Sequence, residues 1–154
     1  GISGTDMRKF WIVAALTFAV DQLSKYAVLY GLDLLNRGER DVLPPFLNFR
    51  MQWNRGINFG LFQGHTDLAR WLLTGNRMAL ISGGLLVGGA LGNVTDRIFQ
   101  SEKAVADFLN MSCCGIENPF SFNVADIAIF AGALGLVLFA GGAGKPGKPT
   151  RSKR

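Results

Sequence analysis

Residues 78–97 read MALISGGLLVGGALGNVTDR, and the 18 residues from Met78 to Thr95 carry no charge. A helix needs about 20 mostly apolar residues to cross the hydrocarbon core of a bilayer. This stretch approaches that length, with Arg77 before it and Asp96-Arg97 closing it. Two other stretches behave alike. Phe10 to Val20 is uncharged, and the apolar character resumes past Asp21 and Lys25 to about Leu32. Ile127 to Gly144 is a second uncharged run of 18. A soluble chain of 154 residues, enough for one compact domain, rarely buries three such helices. The sequence therefore predicts an integral membrane protein, mainly an α-helical bundle, with spans over roughly 8–32, 77–98 and 122–142.

The segments between and around the spans fix the organisation. Residues 1–6, GISGTD, read as a tag remnant before Met7. Residues 7–144 read as a single membrane domain. Residues 145–154 form a basic tail with Lys145, Lys148, Arg151, Lys153 and Arg154. Basic residues beside an apolar helix favour the cytoplasmic side, so the tail is predicted to be cytoplasmic. The start of the third span, the end of the second and the loop 99–121 then lie outside. The first span has a basic start at Arg8 and Lys9. It carries Asp21 and Lys25 and lacks a small-x-small cleavage site, so it is not a simple signal peptide. Residues 41–64 contain Phe46, Phe49, Trp53, Phe59 and Phe62 among Pro and Gly breaks. Alternation around Phe49-Met51-Trp53 predicts short strands, a small sheet beside the bilayer.

Composition excludes several functions. The net charge of +5 gathers in the tail, without aromatic residues interleaved for base stacking, which argues against nucleic acid. Cys113 and Cys114 are adjacent and His65 is the single histidine, so no metal site is expected. The cysteine pair reads as part of a packed loop rather than a bridge. The glycines at 83, 84, 88, 89 and 92 lack the Lys-Ser/Thr ending of a phosphate loop; they let helices approach closely in lipid.

Charges at a membrane edge are costly, which makes them functional candidates. Asp126 lies just inside the third span, and Asp107 sits in the apolar run Val105-Ala106-Asp107-Phe108-Leu109. Two close carboxylates do not ionise together easily. One can activate water while the other protonates a leaving amine. The plainer alternative is that each caps a helix or pairs with an arginine. Asp21 and Lys25, four apart on one face, can form an ion pair. Arg97 can bind a carbonyl or reach the interface. Asn54, Asn93 and Asn123 can hydrogen-bond in a dry site. A Ser-Lys dyad at Ser24-Lys25 is disfavoured, because adjacent helical residues do not face each other.

Taken together the motifs resemble the lipoprotein signal peptidases, signal peptidase II. The matching blocks, in the family's order, are Asp21-Gln22-Leu23-Ser24-Lys25, Trp53-Asn54-Arg55-Gly56, Gly88 through Arg97, Ala106-Asp107-Phe108 and Phe122-Asn123-Val124-Ala125-Asp126. The resemblance implies four transmembrane helices, of which three are evident here, and an external β-cradle. It implies an aspartic endopeptidase of the bacterial inner membrane, without metal or cofactor. Such an enzyme removes signal peptides from diacylglyceryl-modified prolipoproteins, cutting before the lipidated Cys. It acts on the outer face among membrane lipids, where a monomer is sufficient for the chemistry, and is inhibited by globomycin. Asp107 and Asp126 become the catalytic pair. Asn54, Gly56, Asn93, Arg97 and Asn123 line or support the substrate site, and Asp21 and Lys25 stabilise it. The alternatives are a non-catalytic protein of this fold that binds lipidated peptides, or a small transporter with an intramembrane Asp.

Two departures stand out. Ile57-Asn58 replaces the small residues that follow the Asn-x-Gly block in the family. The connection from Thr66 to Asn76 is also too short to cross a bilayer and return, at about 1.5 Å per helical residue. On that count residues 33–66 would fall on the cytoplasmic side, apart from Asp107 and Asp126. The expectation is that roughly 20 residues, one span, are absent from the sequence here.

Overall fold

A computed structural model describes residues 3–56 and 76–140. Helix α1 covers Gly4–Tyr26 and widens into a π turn over Ala27–Gly31. A short α2, Leu34–Arg37, leads to strands β1, Glu39–Leu43, and β2, Leu47–Asn54. Helix α3 covers Arg77–Phe99, β3 covers Val105–Met111, and α4 covers Val124–Ala140.

The start of α1 lies within the stretch set aside as a tag. Ser3 caps the helix, its hydroxyl accepting the Asp6 N–H at 3.2 Å while Asp6 Oδ2 accepts the Ser3 N–H at 3.3 Å. Such reciprocal capping satisfies backbone donors that the first turn leaves open.

Among the described residues two helices are long and apolar enough to cross a membrane, Gly4–Gly31 and Arg77–Phe99, and Val124–Phe139 is a shorter apolar helix. Their outward faces carry large exposed hydrophobic residues, among them Trp11, Leu16, Leu23, Phe130, Val137 and Leu138. The inward faces are closed by glycines. A Cβ at Gly84 would meet Phe10 and Val13, and one at Gly88 would meet Ala14 and Thr17. From the other side, Gly132 approaches the backbone of Ser82 and Leu86. Without a hydrophobic drive between helices in lipid, this close backbone approach supplies the packing.

The three strands form one antiparallel sheet in the order β1-β2-β3. Gln52 stands opposite Asp107, Trp53 opposite Ala106 and Asn54 opposite Val105. A small core of Val28, Leu29, Leu34, Ala106 and Phe108 fastens the sheet to the end of α1. Phe49 meets Phe108 edge-on, ring centroids 5.6 Å apart.

Two sequence expectations change. The segment 99–121, read as a loop, contains β3. Val105 to Phe108 are buried in succession, so the strand shows no alternation of apolar and polar residues to reveal it. Cys113 and Cys114, expected to remain unbridged, form a disulfide in a tight turn where Cys114 and Gly115 have positive φ. The small sheet expected around Phe49-Met51-Trp53 is present, and β2 pairs directly with the strand that bears Asp107. The Gly56 carbonyl accepts from Arg97 near the C-terminal end of α3, and Asn76 is the N-cap of the same helix. His65, the Ile57-Asn58 departure and the connection from Thr66 up to residue 75 lie outside the described residues.

Candidate active site

Asp107 reaches the site from the middle of β3, and Asp126 from the first turn of α4. Asn123 stands between them. Its side-chain amide donates to Asp107 Oδ1 at 2.8 Å, and its backbone N–H donates to Asp126 Oδ2 at 3.1 Å. In return Asn123 Oδ1 accepts the Asp126 N–H at 2.8 Å. Asp126 thus belongs to a capping pair, and its other oxygen, Oδ1, takes the Asn93 amide at 3.3 Å. Helix capping and a second role are therefore compatible in this residue.

A cleft of about 520 Å³ opens over these carboxylates. Asn54, Gly56, Arg97 and Ser121 make its polar mouth, while Ala90, Val94, Ile129, Phe130 and Ala133 make an apolar wall between α3 and α4. One lining thus offers hydrogen bonds at the sheet and hydrocarbon contact along the helices. Arg97 Nη2 donates to the Gly56 carbonyl at 2.6 Å, which fixes the mouth to α3.

Asp107 is buried, with 3% of its surface exposed. Its carboxyl is pushed up to about 7, first by burial and second by the charge of Asp126. The Asn54 hydrogen bond, the Lys25 charge and the Asn123 hydrogen bond pull the other way. Burial penalises the charged form, and so does a like charge nearby.

Of the residues singled out from sequence, Asp107, Asp126, Asn54, Gly56, Asn93 and Arg97 line the cleft. Asn123 lies beneath it, fully buried. Asp21 and Lys25 lie deeper still, joined at 2.8 Å, so they support the site without lining it. The sequence reading missed four supporting groups. Gln22 Nε2 donates to Asp21 Oδ2 and Asp96 Oδ1, and buried Asp96 pairs with Lys25 at 2.8 Å. Asn110 Nδ2 donates to the carbonyls of Asn118 and Phe120, holding the loop that leads to α4. Gln52 holds the same loop through Pro119 and Ser121. For Asp96 there was a signal, an acid three residues after Asn93 in an otherwise apolar helix.

Helices long enough to span, a small sheet at one end and a cleft between them define a helical membrane enzyme fold. Two solved bacterial membrane enzymes share it, at TM-scores of 0.62 and 0.64 and 24% identity. The matches cover 96% and 88% of this chain and 95% and 91% of theirs. The chain belongs to the family described as Signal peptidase (SPase) II, which matches residues 13–140. It is similar to the lipoprotein signal peptidase of Methylobacterium sp. (strain 4-46), at 40% identity, covering 81% of this chain and 84% of that protein. The lipoprotein signal peptidase of Methylorubrum extorquens (strain PA1) is 39% identical over 87% and 86% of the two chains. That of Trichormus variabilis is 36% identical over 85% and 88%. Membership makes the chain a peptidase acting in signal-peptide removal from prolipoproteins.

Proposed function

We propose that this chain is an aspartic endopeptidase of the bacterial inner membrane that cuts diacylglyceryl-modified prolipoproteins before the lipidated Cys, with Asp107 and Asp126 as the catalytic pair. The observation that carries this reading is the shared cleft. Both carboxylates open into it and are bridged by Asn123, and its lining passes from polar groups to hydrocarbon. A substrate with a peptide part and acyl chains matches such a lining in each part.

In this reading Asp107 holds the proton of the pair, as its raised pKa of about 7 allows. Asp126 takes a proton from water as the water oxygen attacks the scissile carbonyl carbon. Asp107 gives its proton to the departing amine of the lipidated Cys as the C–N bond breaks. The signal peptide leaves with a new carboxylate, and the lipoprotein keeps a free amino terminus.

A four-span topology with the site on the outer face goes with this reading. Arg8 and Lys9 lie near the start of α1 and Arg77 begins α3, both at the ends remote from Asp107, and the tail is basic. That distribution suits a cytoplasmic end opposite the cleft. The decisive measurement is cleavage of a lipidated prolipoprotein by purified wild type, Asp107→Asn and Asp126→Asn. Wild type is expected to cleave, and both variants to fall by at least about 1000-fold, the scale seen when one member of a catalytic unit is removed. Wild-type rates in either variant would refute the pair. A wild type that binds the lipidated substrate without cutting it would instead favour a binding protein.

A further inference from the structure

Ala106 and Ala125 stand one residue before Asp107 and Asp126, and both are fully buried. The backbone N–H of each donates to a buried carboxylate on a different helix. Ala125 N–H meets Asp21 Oδ1 of α1 at 3.0 Å, and Ala106 N–H meets Asp96 Oδ2 of α3 at 3.1 Å. One ammonium joins these two carboxylates. Lys25 Nζ lies 2.8 Å from Asp21 Oδ2 and 2.8 Å from Asp96 Oδ2. Its third proton faces Asn93 Oδ1 at 3.4 Å. A lysine has three donors and no acceptor, so Lys25 is fully engaged.

We propose that Asp96 is a positioning residue for Asp107, the counterpart of Asp21 for Asp126, and that Lys25 yokes the two so as to set the separation of the carboxylates. The inference rests on reading Asp107 and Asp126 as the catalytic pair. Asp107 rides on a strand and Asp126 on a helix, already joined where Asn123 bonds both acids and the Phe122 backbone pairs with Leu109. The yoke adds a further link, through the backbone N–H groups of Ala106 and Ala125 and through α1 and α3. It grips the residue beside each acid and leaves the acids free to face the cleft. Gly92 makes room for it, since a Cβ there would meet Asp21. A buried ion network is weak ground for stability, because apolar replacements of similar volume often serve as well. A fixed geometry for chemistry is a stronger reason to hold three buried charges together, and displacement by about 1 Å can cost about 100-fold in rate.

The test compares Asp96→Asn, Asp96→Glu and Asp96→Ala in the full chain, purified in detergent. The probe is a synthetic signal-peptide fragment bearing a dipalmitoylglyceryl cysteine. Asn keeps the length of Asp, and its carbonyl can still serve Ala106 and Lys25, leaving a neutral Asp21–Lys25 pair. Glu keeps the charge but adds a methylene. Positioning predicts that Asn retains kcat within about tenfold while Glu and Ala lose about 100-fold, with KM within about twofold throughout. Rates are taken per folded protein, judged by thermal midpoint and gel filtration. Wild-type kcat in Glu with loss in Asn would mean that charge alone matters, and overturns the inference. So would an unchanged kcat in all three, a change confined to KM, or failure of Asp96→Asn to fold. Asp107→Asn and Asp126→Asn are assayed alongside. Activity in either refutes the catalytic pair itself, whereas inactivity in both beside a normal Asp96 series refutes only the yoke.

Discussion

Asn123 and Asp126 hold each other at the start of α4, the Asn123 N–H meeting Asp126 Oδ2 at 3.1 Å and the Asp126 N–H meeting Asn123 Oδ1 at 2.8 Å. The Asn123 amide also reaches Asp107, so one side chain serves the helix end and both acids. Asn123→Ala removes the cap, which costs about 1 kcal/mol. It also leaves Asp107 without a buried donor, which adds about 1–3 kcal/mol. A drop in thermal midpoint is expected, together with a kcat loss of about 100-fold from displaced acids. Calorimetry and single-turnover cleavage read the two effects separately.

The raised pKa of Asp107 gives a pH dependence of known sign. Its native value is about 7 against an ordinary carboxyl value of 3.8 in the unfolded chain. Between these values the native state binds more protons than the unfolded one, so this group's contribution to stability falls as pH rises. The contribution is fully present below about pH 4 and is lost by about pH 7, a change on the order of a few kcal/mol. Thermal midpoints of Asp107→Asn should lack this slope, and the variant should exceed wild type in stability at pH 8. Cleavage by wild type should decline as pH rises through about 7, since the shared proton is lost there. Parallel slopes in the two proteins would contradict this assignment.

Gly92 tests the close approach beneath the site. A Cβ at that position would meet Asp21 Oδ2, whereas one at Gly31 would meet nothing within 4 Å. Gly92→Ala is expected to cost about 1–3 kcal/mol through overpacking and to slow cleavage by disturbing Asp21 and Lys25. Gly31→Ala should leave both properties near wild type. Equal thermal midpoints for the two variants would contradict the packing described.

How far the sequence foretold this arrangement depends on the kind of signal. Long uncharged runs revealed α1 and α3 because hydrocarbon tolerates little else. Asp107 and Asp126 stood out as acids in apolar surroundings. β3 was hidden, since burial on both faces erased its alternation. Asp96 and Gln22 were passed over as ordinary polar residues near helix ends, because their partners lie about 70 positions away, as for Gln22 and Asp96 at a separation of 74. Long-range hydrogen bonds leave no period in a sequence.

Gln52 carries the last prediction. It stands opposite Asp107 in the ladder and is exposed, yet both ends of its amide are engaged. Nε2 donates to the Pro119 carbonyl at 2.6 Å, and Oε1 accepts the Ser121 N–H at 2.8 Å. These bonds clamp the loop that brings Ser121 and Phe122 to the cleft wall. Gln52→Ala removes two exposed hydrogen bonds, each worth about 0.5–1.5 kcal/mol at most. Asn110 still holds the same loop from its buried side, so folding should survive. The loosened wall should weaken substrate binding while the acids keep their places. The expected result is a KM raised several-fold with kcat within about threefold, the pattern of lost uniform binding. A fall in kcat at constant KM would place Gln52 with the positioning residues instead.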